Sequence, residues 1–270
     1  MTTCNSIPSK CVCFAAALAL SGVGAFAQNA SSKATAAINT AVFCTMSSTS
    51  NNISGVTIPM SCQDVFSGAA VTATPDNFIS IMKASIKVSN SQSLFATPSL
   101  VTGLYTNTAV KSSPGTGKSI ATAAGGVYLR AVLRDPITND VVMIADPIAV
   151  CSNDILGCQA SSSGDWGVTL DSRVQTLSQE LSTCGVTIGG VTAGTCSFDL
   201  TTQLILQTTS AHSFGFIFPN VGVGTYNVSI EAAVNSDATL SGSGAAVGAA
   251  AFGLGSLTVE SVRLVHNFSF

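Results

Sequence analysis

Charge is the scarcest property of this chain: Asp, Glu, Lys and Arg together make up 9% of its 270 residues, against about 25% in an ordinary soluble domain. Ser, Thr, Ala, Gly and Asn stand where Lys and Glu usually sit. Ten basic side chains against thirteen acidic ones leave no basic stripe, which excludes a nucleic-acid footprint. A polar but hardly ionic surface also opposes self-association only weakly.

Catalytic residue types are also sparse. The two histidines, His212 and His266, stand in no HExxH frame, and G-x-S-x-G is missing, so zinc-protease and α/β-hydrolase chemistry lack their motifs. Ser213 follows His212, but neighbours on a strand point to opposite faces and cannot pair as nucleophile and base. Asp165, Asp171, Glu180, Glu231 and Glu260 are the acids open to a glycosidase pair, which needs two carboxyls about 5 to 10 Å apart. Nothing in their spacing marks such a pair. The run Pro114-Gly115-Thr116-Gly117-Lys118-Ser119 resembles the end of a phosphate-binding P-loop, and Val141 to Asp146 imitates its magnesium strand. Ser112 occupies the required glycine position, however, and no helical pattern follows. No nucleotide and no cofactor is expected. Asp135, Asn139 and Asp140, like Asn153 and Asp154, form oxygen-rich turns that match no D-x-[DN]-x-[DN]-G loop, so turn formation is their expected role and no metal is assigned.

Long apolar runs are missing too. The stretch from Phe14 to Phe26 is rich in glycine and falls short of the ~20 apolar residues a membrane helix needs. What it does fit is a secretory signal over residues 1–27: Lys10 with no acidic residue, an apolar run from Cys13 to Leu20, then Ala25-Phe26-Ala27 before Gln28. No cysteine follows that triplet, so a lipid anchor is not indicated. The expected product is residues 28–270 as a single domain, exported from a bacterium to the periplasm, the cell surface or the medium.

Export gives the remaining cysteines a meaning. Cys44, Cys62, Cys151, Cys158, Cys184 and Cys196 are even in number and fall into sequential couples, while no CxxC suggests zinc. The spacing predicts disulfides Cys44–Cys62, Cys151–Cys158 and Cys184–Cys196.

Period-two patterning dominates the rest. Met82, Ala84, Ile86 and Val88 alternate with Lys83, Ser85 and Lys87. Val127, Leu129, Ala131 and Leu133 oppose Tyr128, Arg130 and Arg134, and a turn at 135–140 leads to a partner strand from Val141. Phe214, Phe216 and Phe218 alternate, as do Tyr226, Val228, Ile230, Ala232 and Val234. Leu94 to Tyr105 reads as a strand with Pro98 near its start or at an edge. Residues 28–75 read as irregular, with short β-prone pieces. Asp199 is placed to cap a short helix over 200–209, where Leu200, Gln203, Leu204 and Gln207 have partial helical spacing. Gly242 to Gly255 reads as a flexible connector or a small-residue strand. Phe268 and Phe270 imitate the last strand of an outer-membrane barrel, but the other strands lack aromatic girdles.

The fold expected is an all-β, antiparallel two-sheet β-sandwich of jelly-roll or immunoglobulin-like type. Gly224-Thr225-Tyr226-Asn227-Val228-Ser229-Ile230 resembles the turn and strand of many extracellular β-sandwich modules, over seven residues only. Function is expected to be non-enzymatic: a structural, adhesive or assembly component, with self-association or a surface polysaccharide as the partner. The alternatives are a carbohydrate-binding module, with Trp166, Tyr105, Tyr128 and Tyr226 as stacking groups, and an exported hydrolase of unrecognised type.

Overall fold

The computed structural model describes residues 33–51, 53–74, 77–147, 158–160, 166–182, 185–188, 190–195 and 198–263. In chain order the elements are β1 (Ala34–Asn51), α1 (Cys62–Phe66), β2 (Ala69–Ala70), β3 (Ile79–Val88), β4 (Gln92–Ser112), β5 (Ser119–Arg134), β6 (Val141–Ile144), β7 (Cys158–Ala160) and β8 (Trp166–Gln179). They continue as β9 (Gly185–Ile188), β10 (Val191–Thr195), β11 (Leu200–Ser213), β12 (Phe216–Val221), β13 (Gly224–Ser241) and β14 (Ser243–Val262).

Two six-stranded sheets pack face to face, as the alternating sequence predicts. The first runs β3-β13-β5-β8-β7 with β6 on β5; the second runs β11-β4-β14-β1-β2 with β12 on β4. Nearly all pairings are antiparallel, β1 with β2 being parallel. Strands β9 and β10 form a separate hairpin. Among the described residues each sheet ends in edge strands, and the arrangement is a two-sheet sandwich.

Side-chain size divides the core. At one end, Leu94, Leu100, Leu129, Leu133, Phe216, Phe218, Ile230 and Phe252 are fully buried between the sheets. At the other, Val110, Ala121, Ala123 and Ala246 fill the space. The sheets come so close there that a Cβ built on Gly248 would lie 2.1 Å from the Ala124 carbonyl oxygen and 2.5 Å from that of Asp237. The Gly- and Ala-rich stretch is therefore a strand, β14, at the centre of its sheet. Its other face lies under the 53–74 segment, where Ile58, Val65 and Phe66 pack over Tyr105, Val247 and Ala249.

Three expectations need correction. Residues 200–209 are strand, not helix: β11 pairs with β4 over fourteen consecutive positions, from Leu200 with Ser112 to Ser213 with Ser99. Thr201, Thr202, Ile205, Thr208 and Thr209 are β-branched and favour the extended backbone. Asp199 does not cap a helix but pairs with Lys111 at 2.8 Å. Secondly, the stretch read as irregular opens with the eighteen-residue β1, although Val56 to Met60 is loop. Thirdly, Pro98 sits in a central strand, where β11 gives way to β12, and its carbonyl accepts the Phe214 N–H at 3.1 Å.

Candidate functional site

The pairing of β5 with β8 is interrupted by a bulge. Leu129 faces Val168, but Val127 faces Asp171, so one extra residue on β8 reverses which side chains point inward. Beyond the bulge Val174 is left 72% exposed while Gln175 is buried. A polar seam results between the sheets. Thr106 Oγ1 donates to Gln175 Oε1 (2.8 Å). Gln175 Nε2 donates to Thr108 Oγ1 (2.6 Å) and to the Leu204 carbonyl (2.8 Å). Arg173 Nη2 donates to Thr208 Oγ1 at 2.8 Å, and Thr102 Oγ1 to Asp171 Oδ2 at 2.7 Å. Buried groups bonded in this way fix the register of β8 against β4 and β11.

Within this seam His212 meets a serine, though not Ser213. Ser210, two positions away and on the same face, places its Oγ 2.9 Å from His212 Nε2. Asp171 Oδ2 lies 3.4 Å from that same nitrogen. A Ser-His-Asp relay needs serine and carboxylate on different ring nitrogens, so that one proton is taken while the other is held. Here both crowd Nε2, and Asp171 Oδ2 is already the acceptor of Thr102. The geometry provides a hydrogen-bonded clasp between β8 and β11 and does not activate the serine.

The other acids are dispersed. Glu231, on the opposite face of the same sheet from Asp171, is buried and held by two arginines: Arg130 Nε at 2.8 Å and Arg134 Nε at 3.2 Å. Arg130 also stacks on Phe78, 4.4 Å from the ring centre. Both of its carboxylate oxygens are taken up in this way, Oε2 by Arg130 and Oε1 by Arg134. Glu180 and Glu260 are exposed, and Asp165 lies outside the described residues, as do His266, Asn153, Asp154, Phe268, Phe270 and residues 1–27, where a signal is expected.

The three candidate stacking tyrosines do not share a surface. Tyr105 is buried on the outer face of the β4 sheet, and that burial raises its phenol pKa. Tyr128 is buried on the outer face of the β5 sheet, and Tyr226 packs against the core. Trp166 opens β8, its side chain lying outside the described residues. A pocket of about 240 Å³ lies between Val65, Phe66, Gly103, Gln207 and Phe252; Tyr105 packs beside it under Val65 and Phe66, but no tyrosine lines it.

The oxygen-rich turn folds on itself. Asp135 Oδ1 accepts the N–H groups of Ile137 (2.7 Å) and Thr138 (2.9 Å), and those bonds hold its carboxyl below the usual range. The P-loop look-alike is a strand-to-strand turn closed by Thr116 Oγ1 donating to the Ser113 carbonyl (2.7 Å), with Gly115 and Gly117 at φ 77 and 84°. β5 follows it, not a helix.

Cys44 and Cys62 are joined by a disulfide, their Cα atoms 5.9 Å apart, which ties α1 to β1. Cys158 begins β7 with its side chain outside the described residues; Cys151, Cys184 and Cys196 lie outside them altogether.

The sheet edges differ in how they are guarded. β3 presents Lys83 and Lys87. β1 is crossed by β2 and the disulfide-tied segment, and β8 points Asp171 and Arg173 inward. β12 carries Pro219 and an irregular register. Lysines, inward charges, bulges and short covering strands are the devices that stop an edge from pairing with another chain. β11 has none of them. It carries no Asp, Glu, Lys, Arg or Pro, runs fourteen residues without a bulge, and exposes Leu204 at 41%, Ile205 at 52% and Leu206 at 43%. The sequence hid this edge because its apolar residues are consecutive rather than alternating. No family model, no curated protein and no solved structure matches the chain.

Proposed function

We propose that the chain is an exported, disulfide-stapled β-sandwich that works at the cell surface or outside the cell as an assembly or adhesive component rather than as an enzyme. The observation that carries this reading is the bare edge of β11: a long strand without Asp, Glu, Lys or Arg, with one sheet neighbour among the described residues and four large apolar side chains exposed, Leu200, Leu204, Ile205 and Leu206. Such an edge is a template for strand addition, the recognition mode in which main-chain hydrogen bonds supply affinity. The Cys44–Cys62 bridge supports an oxidising compartment. The low charge of the surface supports close packing against other chains. Fractionation of a bacterial host expressing the full chain tests the export half, with the chain expected outside the cytosol and Cys44–Cys62 linked. Recovery in the cytosol with free thiols would overturn it. Selective retention on a glycan array would replace assembly with carbohydrate binding.

A further inference from the structure

The edge strand names its own partner. Residues 201–209 read Thr201-Thr202-Gln203-Leu204-Ile205-Leu206-Gln207-Thr208-Thr209, a nine-residue palindrome. Antiparallel pairing of this segment with a second copy, centred on Ile205, sets like against like throughout. Ile205 faces Ile205, Leu204 faces Leu206, Gln203 faces Gln207, Thr202 faces Thr208 and Thr201 faces Thr209. We propose that β11 pairs with β11 of a second copy of this chain about a twofold axis through Ile205, joining two six-stranded sheets into one twelve-stranded sheet.

A twofold interface must be self-complementary, and an antiparallel edge-to-edge pair requires opposing residues to share a face. A twofold axis normal to the sheet and centred on Ile205 meets both conditions. Thr201, Gln203, Ile205, Gln207 and Thr209 lie on the outer face, while Thr202, Leu204, Leu206 and Thr208 lie on the face toward β8, where Arg173 Nη2 donates to Thr208 Oγ1 and Gln175 Nε2 to the Leu204 main-chain carbonyl. The neighbouring registers are poorer. Centring on Leu204 sets Gln203 against Ile205 and Thr202 against Leu206; centring on Leu206 sets Ile205 against Gln207. Only the Ile205 register sets every exposed leucine of the palindrome directly against a leucine of the second copy and isoleucine against isoleucine, flanked by Gln and Thr pairs that can hydrogen-bond across the seam.

Charge does not oppose the contact. No Asp, Glu, Lys or Arg lies within 200–213. The nearest in sequence, Asp199, faces Ala211 of the second copy and is already paired with Lys111. The palindrome spans roughly 30 Å of extended chain, with about 3.4 Å per residue.

This inference deepens the assembly reading and rests on it for the place of contact. The two fail separately: a cytosolic chain that still pairs through β11 overturns export alone, and an exported chain that stays monomeric overturns the pairing alone. The test is sedimentation velocity of the purified full chain, disulfides intact, over a hundredfold concentration range. A reversible dimer is expected. Ile205→Lys puts two ammonium groups opposite each other at the axis and should weaken dimerisation by roughly tenfold or more. A second variant is independent of that loss: Ile205→Cys should form a dimer on mild oxidation in which the peptide around position 205 is linked to its own copy, whereas Gln203→Cys alone should not link to itself. A monomer at every concentration would leave the edge to an extended segment of some other protein and overturn the proposal. So would a dimer indifferent to Ile205→Lys, or oxidation products without the self-link at 205.

Discussion

Gly248→Ala reverses the usual sign of a glycine substitution. In an extended strand, replacing glycine by alanine restricts the unfolded chain and stabilises the fold by about 0.4 to 1 kcal/mol where the site is free. At Gly248 the new Cβ would stand 2.1 Å from the Ala124 carbonyl oxygen on β5 and 2.5 Å from that of Asp237 on β13. Both atoms are backbone, on two strands of the facing sheet, so no rotamer change relieves the contact and the sheets must separate locally. Overpacking of this kind costs about 1 to 3 kcal/mol, which outweighs the entropic gain and leaves the variant less stable by about 1 to 2 kcal/mol. For a chain of this size that corresponds to a fall in Tm of roughly 2 to 8 °C. Gly215→Ala is the matched control, since nothing lies within 4 Å of a Cβ there, and it should be neutral or slightly stabilising. Urea unfolding of both variants, read as the midpoint shift at constant m, measures the difference. Equal midpoints for the two would refute the close approach of the sheets at β14.

Three further outcomes follow from the seam, the staple and the charged end of β11. Gln175→Ala removes the partner of Thr106, Thr108 and the Leu204 carbonyl and should cost about 2 to 3 kcal/mol in urea unfolding, whereas Val174→Thr on the exposed side should stay within about 0.5 kcal/mol. Replacing Cys44 and Cys62 together by serine should lower stability by about 3 kcal/mol for a loop of this length, with loss of the bridged peptide in a non-reduced digest. The Asp199 carboxyl is held below its ordinary range first by its hydrogen bond with Lys111, then by Ser113 and the Lys111 charge. Because the folded value is depressed, the associated stabilisation is present above the ordinary carboxylate range and is lost as pH falls through the lowered one. Carboxyl NMR titration should therefore show a low midpoint for Asp199 that rises in Lys111→Met.

Where one sheet face is buried and the other wet, the fold could be read from sequence. Val127 to Leu133 and Tyr226 to Val234 alternate because β5 and β13 lie in the middle of a sheet whose inner face meets the core. The eighteen-residue spacing of Cys44 and Cys62 was equally plain. β11 was not, because an exposed edge imposes no alternation: Leu204, Ile205 and Leu206 follow one another, and Leu200, Gln203, Leu204 and Gln207 imitate a helical face. The polar seam was hidden for a different reason. Asp171, Arg173 and Gln175 repeat with the period of a solvent face, and only the bulge between Thr169 and Asp171 turns them inward. β1 is hard to read in the sequence because Ala, Ser and Thr give little hydrophobic contrast. The five-residue α1 has a signal in Ser61 followed by Asp64, whose Oδ2 accepts the Ser61 N–H at 2.9 Å, a recognisable helix start.

Amide hydrogen exchange of residues 200–213 in the full chain, followed at low and at high protein concentration, tests the assembly edge most directly. If β11 is a pairing edge, its outward amides exchange freely when dilute and become protected as concentration rises, while those of β4 stay protected throughout. Exchange across 200–213 that is the same at both concentrations, with β4 still protected, would contradict the account.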